Sequence, residues 1–242
     1  MRPFFARIGS KSTLVKHIIP MFPEHKTYVE PFLGSGAVFF KKEESQLEVL
    51  NDLDKSLYDD YMHLKSVKLE NIPDSLDDYN KFYNEAENTP TNKLLKSILI
   101  RNNTFNCCGK GKIYDKGNPL NKLKLVDDYQ NRLRKAIFHN TSYEEILRDY
   151  DSETTFFYLD PPYEGSKGLY SHYVFDYDKF RDILSSLKGK WLLSINDSER
   201  IRELFKEYKI VTVSTAKTAP PKNGKKIGRC GNKRNELLIS NF

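Results

Sequence analysis

Apolar and polar positions follow two different rhythms along the chain. Short apolar runs at Tyr28-Val29-Glu30-Pro31-Phe32, Leu47 to Leu50, Thr155 to Leu159 and Trp191 to Ile195 have the length and residue types of strands. Ile210 to Val213 and Glu236 to Ser240 repeat that pattern near the end of the sequence. Helices are expected over Lys55 to Ser66, near Asp178 to Leu187, and over Ser198 to Glu207. The first run passes into the turn Gly34-Ser35-Gly36 and then Ala37-Val38-Phe39-Phe40, which reads as the start of a helix. Strand, loop, helix, strand is the unit of a parallel α/β sheet.

From about Asn71 to Arg148 the rhythm changes. Leu94, Leu95, Ile98 and Leu99 stand at helical spacing, as do Leu123, Val126 and Tyr129 to Leu133 less cleanly. Asn102 to Pro119, rich in Asn, Gly and Lys, reads as loop or hairpin. The expected organisation is an α/β domain of residues 1–66 and 149–242, split by a mainly helical insert at 67–148.

Composition removes several function classes. A chain of 242 residues with 30% charged and 38% apolar positions is ordinary for a globular protein, and no run approaches the length of a transmembrane helix. Met1 to Arg7 lacks the uninterrupted apolar region of a secretory signal, so a cytoplasmic location without a membrane partner is expected. Cys107 and Cys108 are adjacent and Cys230 is distant, which makes neither a disulfide framework nor a Cys-x-x-Cys site. The five histidines are scattered, and no metal is expected.

The net charge of +6 favours a polyanionic partner. Residues 52–87 are acidic, whereas Lys217 to Arg234 carries seven basic residues, among them Lys222, Lys225 and Lys226, and no acid. That stretch is either a solvated loop or one that tracks phosphates.

Three stretches could carry chemistry. Glu30-Pro31-Phe32-Leu33-Gly34-Ser35-Gly36 ends a strand, where glycines permit a tight turn and close approach of a ligand. It is neither G-x-G-x-x-G nor a P-loop, which disfavours a dinucleotide or a nucleoside triphosphate. Asp52, at the end of the next strand, stands where an acid can accept hydrogen bonds from ribose hydroxyls, while Asp54 suits the cap of the following helix. Asp160-Pro161-Pro162-Tyr163 follows an apolar strand directly. A carboxylate and a proline carbonyl on one stiff turn offer two acceptors to an amine with two N–H bonds, and Tyr163 supplies a flat ring for stacking. A plain turn or loop is the alternative for the first and third, and a cap of the following helix is the alternative for Asp52.

As a set, these stretches resemble the amino-DNA methyltransferases, in particular the Dam-like (D12 class) adenine-N6 subgroup. Arg7-Ile8-Gly9-Ser10-Lys11 is similar to its N-terminal Trp-Ala-Gly-Gly-Lys element, and Leu50-Asn51-Asp52-Leu53-Asp54 to its Asn/Ala-Asp-Ile-Asn element. Ser194 to Asp197 and Asn235 to Asn241 also match. The resemblance implies a Rossmann-like S-adenosylmethionine-dependent sheet, with the insert as target-recognition domain. It places the cofactor against Arg7, Lys11, Glu30, Phe32, Gly34, Ser35, Gly36, Asp52 and Asp160, and makes Asp160, Pro161, Pro162 and Tyr163 catalytic. Arg7 stands where the family usually has an aromatic residue. In place of the family's Asn-Arg-x-Gly-Tyr-Asn the insert has Ile100 to Asn106; Arg101, Asn102, Asn103, Lys110 and Lys112 are candidate DNA contacts, with Lys222, Lys225 and Lys226 from the basic stretch. Helix caps and turns are the other use for Arg101 to Asn103.

The implied reaction is methyl transfer from S-adenosylmethionine to the N6 amine of adenine in duplex DNA, with the base flipped out and a cognate restriction endonuclease as a candidate partner. Methylation of cytosine N4 or of RNA, and a silent DNA-binding relative, are the rival readings.

Overall fold

The computed structural model describes residues 1–107, 112–115, 117–163, 175–216 and 233–242, with the side chains of 106, 215, 216, 233 and 234 excepted. Among these, seven strands form one sheet: β1 (Thr27–Glu30), β2 (Leu47–Asn51), β3 (Ile137–His139), β4 (Thr155–Leu159), β5 (Lys190–Asn196), β6 (Lys209–Ala216) and β7 (Lys233–Ser240). Their order is β3-β2-β1-β4-β5-β7-β6. The first five are parallel, and β7 lies antiparallel between β5 and β6.

The strands read as continuous apolar runs because both faces of the sheet are covered. Side chains alternate between two cores. Tyr28, Leu50, Phe156 and Tyr158 enter one apolar cluster, while Val29, Val49, Phe157 and Leu159 enter the other. The first face is closed by α1 (Val15–Ile18), α2 (Lys55–Ser66), α4 (Pro90–Asn103), α5 (Leu120–Leu123) and α6 (Val126–Leu133), with α3 (Tyr79–Glu85) at its border. The second is closed by α7 (Tyr143–Asp149), α8 (Tyr177–Ser186) and α9 (Glu199–Leu204). The result is a three-layer, doubly wound α/β fold of Rossmann-like order, reversing direction between β1 and β4.

Helix α2 forms where its pattern predicts, capped by the Asp54 carboxylate, which accepts from the Ser56 and Leu57 amides. One expectation needs correction. The segment 37–40 makes successive turns rather than an α-helix. Val38, Phe39 and Phe40 are all buried, so no face is left for water. The Phe39 carbonyl accepts from Arg132 at 3.0 Å and the Phe40 carbonyl from the N-terminal ammonium at 3.0 Å, so outside donors take the bonds a helix would make. Residues 137–139, expected in the insert, pair with β2 as the edge strand β3, and α7 then covers the second face. Three residues are too few to show a period.

Candidate functional site

Beyond the carboxyl ends of β1, β2 and β4, where the strand order reverses, lies a cleft of about 900 Å³. Ligands of α/β sheets bind at such a point, in volumes of about 300–1,000 Å³. Its walls come from segments far apart in sequence: Arg7 to Lys11, Glu30 to Ser35, Asn51 to Asp54, Thr141 to Glu144, and Tyr158 with Asp160 to Tyr163. Of the cofactor and catalytic residues expected above, all but Gly36 line it directly.

Gly36 acts from behind. Both Gly34 and Gly36 have left-handed backbone, φ +51° and +64°. A Cβ on Gly36 would meet Phe40 ring carbons at 3.0 and 3.1 Å, so the loop closes onto its own core there. The Gly34 amide donates to Asp52 at 2.8 Å, and the Asp54 amide donates to the other Asp52 oxygen at 2.9 Å. This ties the glycine loop to the end of β2. Ser35 donates to Ser10 at 2.9 Å, which joins the loop to the N-terminal segment. Arg7 reaches across to Asp54 at 2.6 Å, while its Cδ would stand 3.9 Å from a Cβ on Gly34. Phe32 borders the cleft and packs on Tyr143 and Phe175 at centroid distances of 5.4 and 5.9 Å.

Asp160, Pro162 and Tyr163 of the turn after β4 are tied to distant segments. Lys11, 4% exposed, donates to Asp160 at 2.5 Å and to the Gly9 carbonyl at 3.2 Å, with its ammonium 4.7 Å from the Tyr163 ring centre. Tyr177 donates to the Pro162 carbonyl. The Tyr163 hydroxyl donates to the Glu236 carboxylate at 2.6 and 2.5 Å. No donor among the described residues takes the Pro161 carbonyl.

Burial pushes the Asp160 carboxyl above its ordinary range, against the opposing charge of Lys11. Glu30, 2% exposed, is pushed up to about 8 by burial, although the Tyr28 hydroxyl donates to it at 2.7 Å. Asp52 is likewise raised by burial, opposed by the charge of Arg7.

The candidate DNA contacts on α4 turn inward. Arg101 binds Asp60 at 2.8 Å and Ser56 at 2.9 Å. Asn102 accepts from the Ala6 amide at 2.8 Å and donates to the Phe4 carbonyl at 3.4 Å. Asn103, 2% exposed, donates to the Tyr114 and Gly117 carbonyls. Asn102 and Asn103 thus serve backbone groups of the N-terminal arm and the loop, which need partners there, while Arg101 pairs with side chains of α2. Lys112 is exposed. Lys110, Lys222, Lys225 and Lys226 lie outside the described residues. Among the described residues no group of metal-ligating side chains converges, and no helix is long and apolar enough to cross a membrane.

Sequence reasoning missed Thr141 to Glu144 and Phe175 at the site, and it matched the stretches holding Asn196 and Glu236 to the family without assigning either residue to the site. The first four precede or begin α7, on a connection with no motif. Glu236 could have been found as a lone acid opening an apolar strand.

The model of the D12 class N6 adenine-specific DNA methyltransferases matches residues 8–97 and 77–219. The chain is 24% identical to the Type II methyltransferase M1.LlaDCHI of Lactococcus lactis subsp. cremoris, over 100% of this chain and 96% of that protein. It is 25% identical to the Type II methyltransferase M.CviBI of Paramecium bursaria Chlorella virus NC1A, over 86% and 88%. Among solved structures it is similar to the C-terminal domain of precorrin-6Y C5,15-methyltransferase from Rhodobacter capsulatus, with a TM-score of 0.44 and 9% identity over 99% and 95% of the two chains.

Proposed function

The chain belongs to the D12 class N6 adenine-specific DNA methyltransferases, and on that premise we propose that its cleft holds S-adenosylmethionine beside an adenine flipped out of duplex DNA. The residues present fit such a cofactor. Each Asp52 oxygen spends one lone pair on a backbone amide and keeps capacity for a ribose hydroxyl. Leu53, 60% exposed at the cleft, offers apolar surface to a flat ring. The Asp160 carboxylate, opposite Lys11, and Glu30 once ionised suit a cationic ligand.

The cofactor supplies a methyl group on a positively charged sulfur. What the chain supplies is the placing of the amine. Asp160 and the Pro161 carbonyl stand on one rigid turn, each able to accept one N6 hydrogen. That arrangement directs the nitrogen lone pair and stabilises the charge that develops on it. Lys11 favours the ionised form of Asp160 and fixes its orientation. The methylated amine must then lose a proton, and Asp160, with its raised pKa, is the base in reach. Tyr163 is the ring on which the base stacks.

We assign DNA recognition to the segment around Lys112 in the helical insert and to the basic stretch Lys217 to Arg234. The Type II methyltransferases among the relatives support a modification role alongside a cognate restriction endonuclease.

The Asp160 carboxylate and the Pro161 carbonyl, side by side on the cleft turn after β4, carry this reading. Labelled methyl transferred from S-adenosylmethionine to unmethylated duplex DNA should appear, after digestion, as the N6-methyl deoxyadenosine nucleoside. Asp160→Ala should fold normally and lose at least roughly 100-fold in turnover. Near-normal turnover in that variant would refute the assignment.

A further inference from the structure

The ring of Tyr163 is not positioned by its own loop. We infer that Glu236, on β7, is a positioning residue that fixes the Tyr163 ring through its hydroxyl and thereby sets the surface on which the target base stacks. This rests on the reading of Tyr163 as the stacking ring.

Strand β7 runs antiparallel beside β5 with Glu236 opposite Asn196, itself a cleft residue. The register therefore brings a carboxylate from near the end of the chain to the mouth of the β4 turn. Glu236 is only 6% exposed, and it opens the apolar run Leu237-Leu238-Ile239. A buried acid in a strand is costly unless partnered. Its partner is the Tyr163 hydroxyl, within 2.6 and 2.5 Å of the two carboxylate oxygens. Hydrogen bonds to an ionised acceptor are short and about twice as strong as neutral ones. Lys11 stands 4.7 Å from the ring centre, and Tyr177 ties down the Pro162 carbonyl. The ring is thus pinned at its edge by β7 and approached on its face by the lysine that also holds Asp160. The charge of Glu236 reaches Asp160 as well, and adds to the upward pull of burial on that carboxyl. Lys11, Glu30, Tyr158, Tyr163 and Ser194 are the other groups bearing on it.

The test is a set of four variants, each with folding followed by circular dichroism and cofactor affinity by calorimetry: Tyr163→Phe, Glu236→Leu, the double variant, and Glu236→Gln. Tyr163→Phe and Glu236→Leu should each lower kcat roughly 10- to 100-fold with cofactor affinity unchanged, as expected for a ring out of place by a fraction of an ångström. The double variant should be no slower than the slower single one, since both remove the same bond. Glu236→Gln keeps an acceptor and should recover most of kcat. Because it removes a negative charge near Asp160, it should also shift the acidic limb of the kcat/KM profile to lower pH, which a merely structural role would not do. Wild-type turnover in Glu236→Leu beside an inactive Asp160→Ala would overturn this inference alone, as would losses that multiply in the double variant. No methyl transfer to DNA by the unaltered protein would overturn the parent reading and this one with it.

Discussion

Four carboxylates at one cleft titrate differently because their neighbours differ. At Asp54 burial opposes ionisation, but hydrogen bonds from Arg7 and Ser56 hold the group down at about 2. Asp160 and Asp52 are raised by burial against a nearby cation in each case. Glu30 is raised to about 8 by burial, with the Tyr28 hydroxyl as its direct partner. Glu30 therefore binds its proton more tightly in the folded chain than in the unfolded one. The stability that follows is fully present below pH 4.5 and is lost as pH rises through about 8. Without cofactor, the protein should lose on the order of a few kcal/mol of stability over that window. Glu30→Gln cannot ionise, so its thermal midpoint should fall much less between pH 5 and pH 8.5, roughly the range spanned by the two pKa values. Parallel pH profiles for the two proteins in scanning calorimetry would show that Glu30 is not the group responsible.

At the scale of elements, the loop after β1 shows how burial overrides local pattern. Its apolar residues suit a helix, yet they are buried on all sides and their carbonyls serve Arg132 and the N-terminus. Gly36 sits at the centre of that packing. Gly36→Ala should cost about 1–2 kcal/mol for the left-handed backbone, and more for the contact with Phe40. Gly9 also has positive φ, +84°, but a Cβ there meets nothing within 4 Å. Gly9→Ala should therefore show only the backbone cost. Equal losses for the two in urea denaturation would mean that the Phe40 contact relaxes freely.

On the scale of the whole molecule, helices α4 to α6 and the sheet share one core. Leu94, Leu95 and Ile98 of α4 and Tyr129 and Leu133 of α6 belong to the same apolar cluster as Tyr28 and Phe156. The N-terminal arm is stitched to those helices through its backbone. Tyr129 donates to the Arg2 carbonyl at 2.5 Å, and Lys122, whose pKa burial lowers to about 8, donates to the Pro3 and Phe4 carbonyls. Asn102 holds Phe4 and Ala6 from both sides of the amide. The next residues along that arm are Arg7 to Lys11, the cleft wall. Asn102→Ala should accordingly weaken cofactor binding several-fold, as the loss of about two ordinary hydrogen bonds would. Unchanged cofactor affinity in calorimetry, together with weaker DNA binding, would make Asn102 a DNA contact instead.

The sequence by itself determined the α/β class, most strand positions, helix α2 and the three stretches that meet at the cleft. Those depend on local requirements: continuous apolar runs for strands buried on both faces, an acid at a helix cap, glycines in left-handed turns, and a proline pair that stiffens a strand end. Edge strand β3 was not legible, because three residues cannot display a period. Nor was the inward turn of Arg101, Asn102 and Asn103, since the same polar side chains serve a DNA edge or a backbone carbonyl equally well. Only the tertiary structure decided that Lys11 lies on Asp160 and that Glu236 reaches Tyr163. These contacts span separations of 149 and 73 residues, and they are set by strand order and register, which no local pattern encodes.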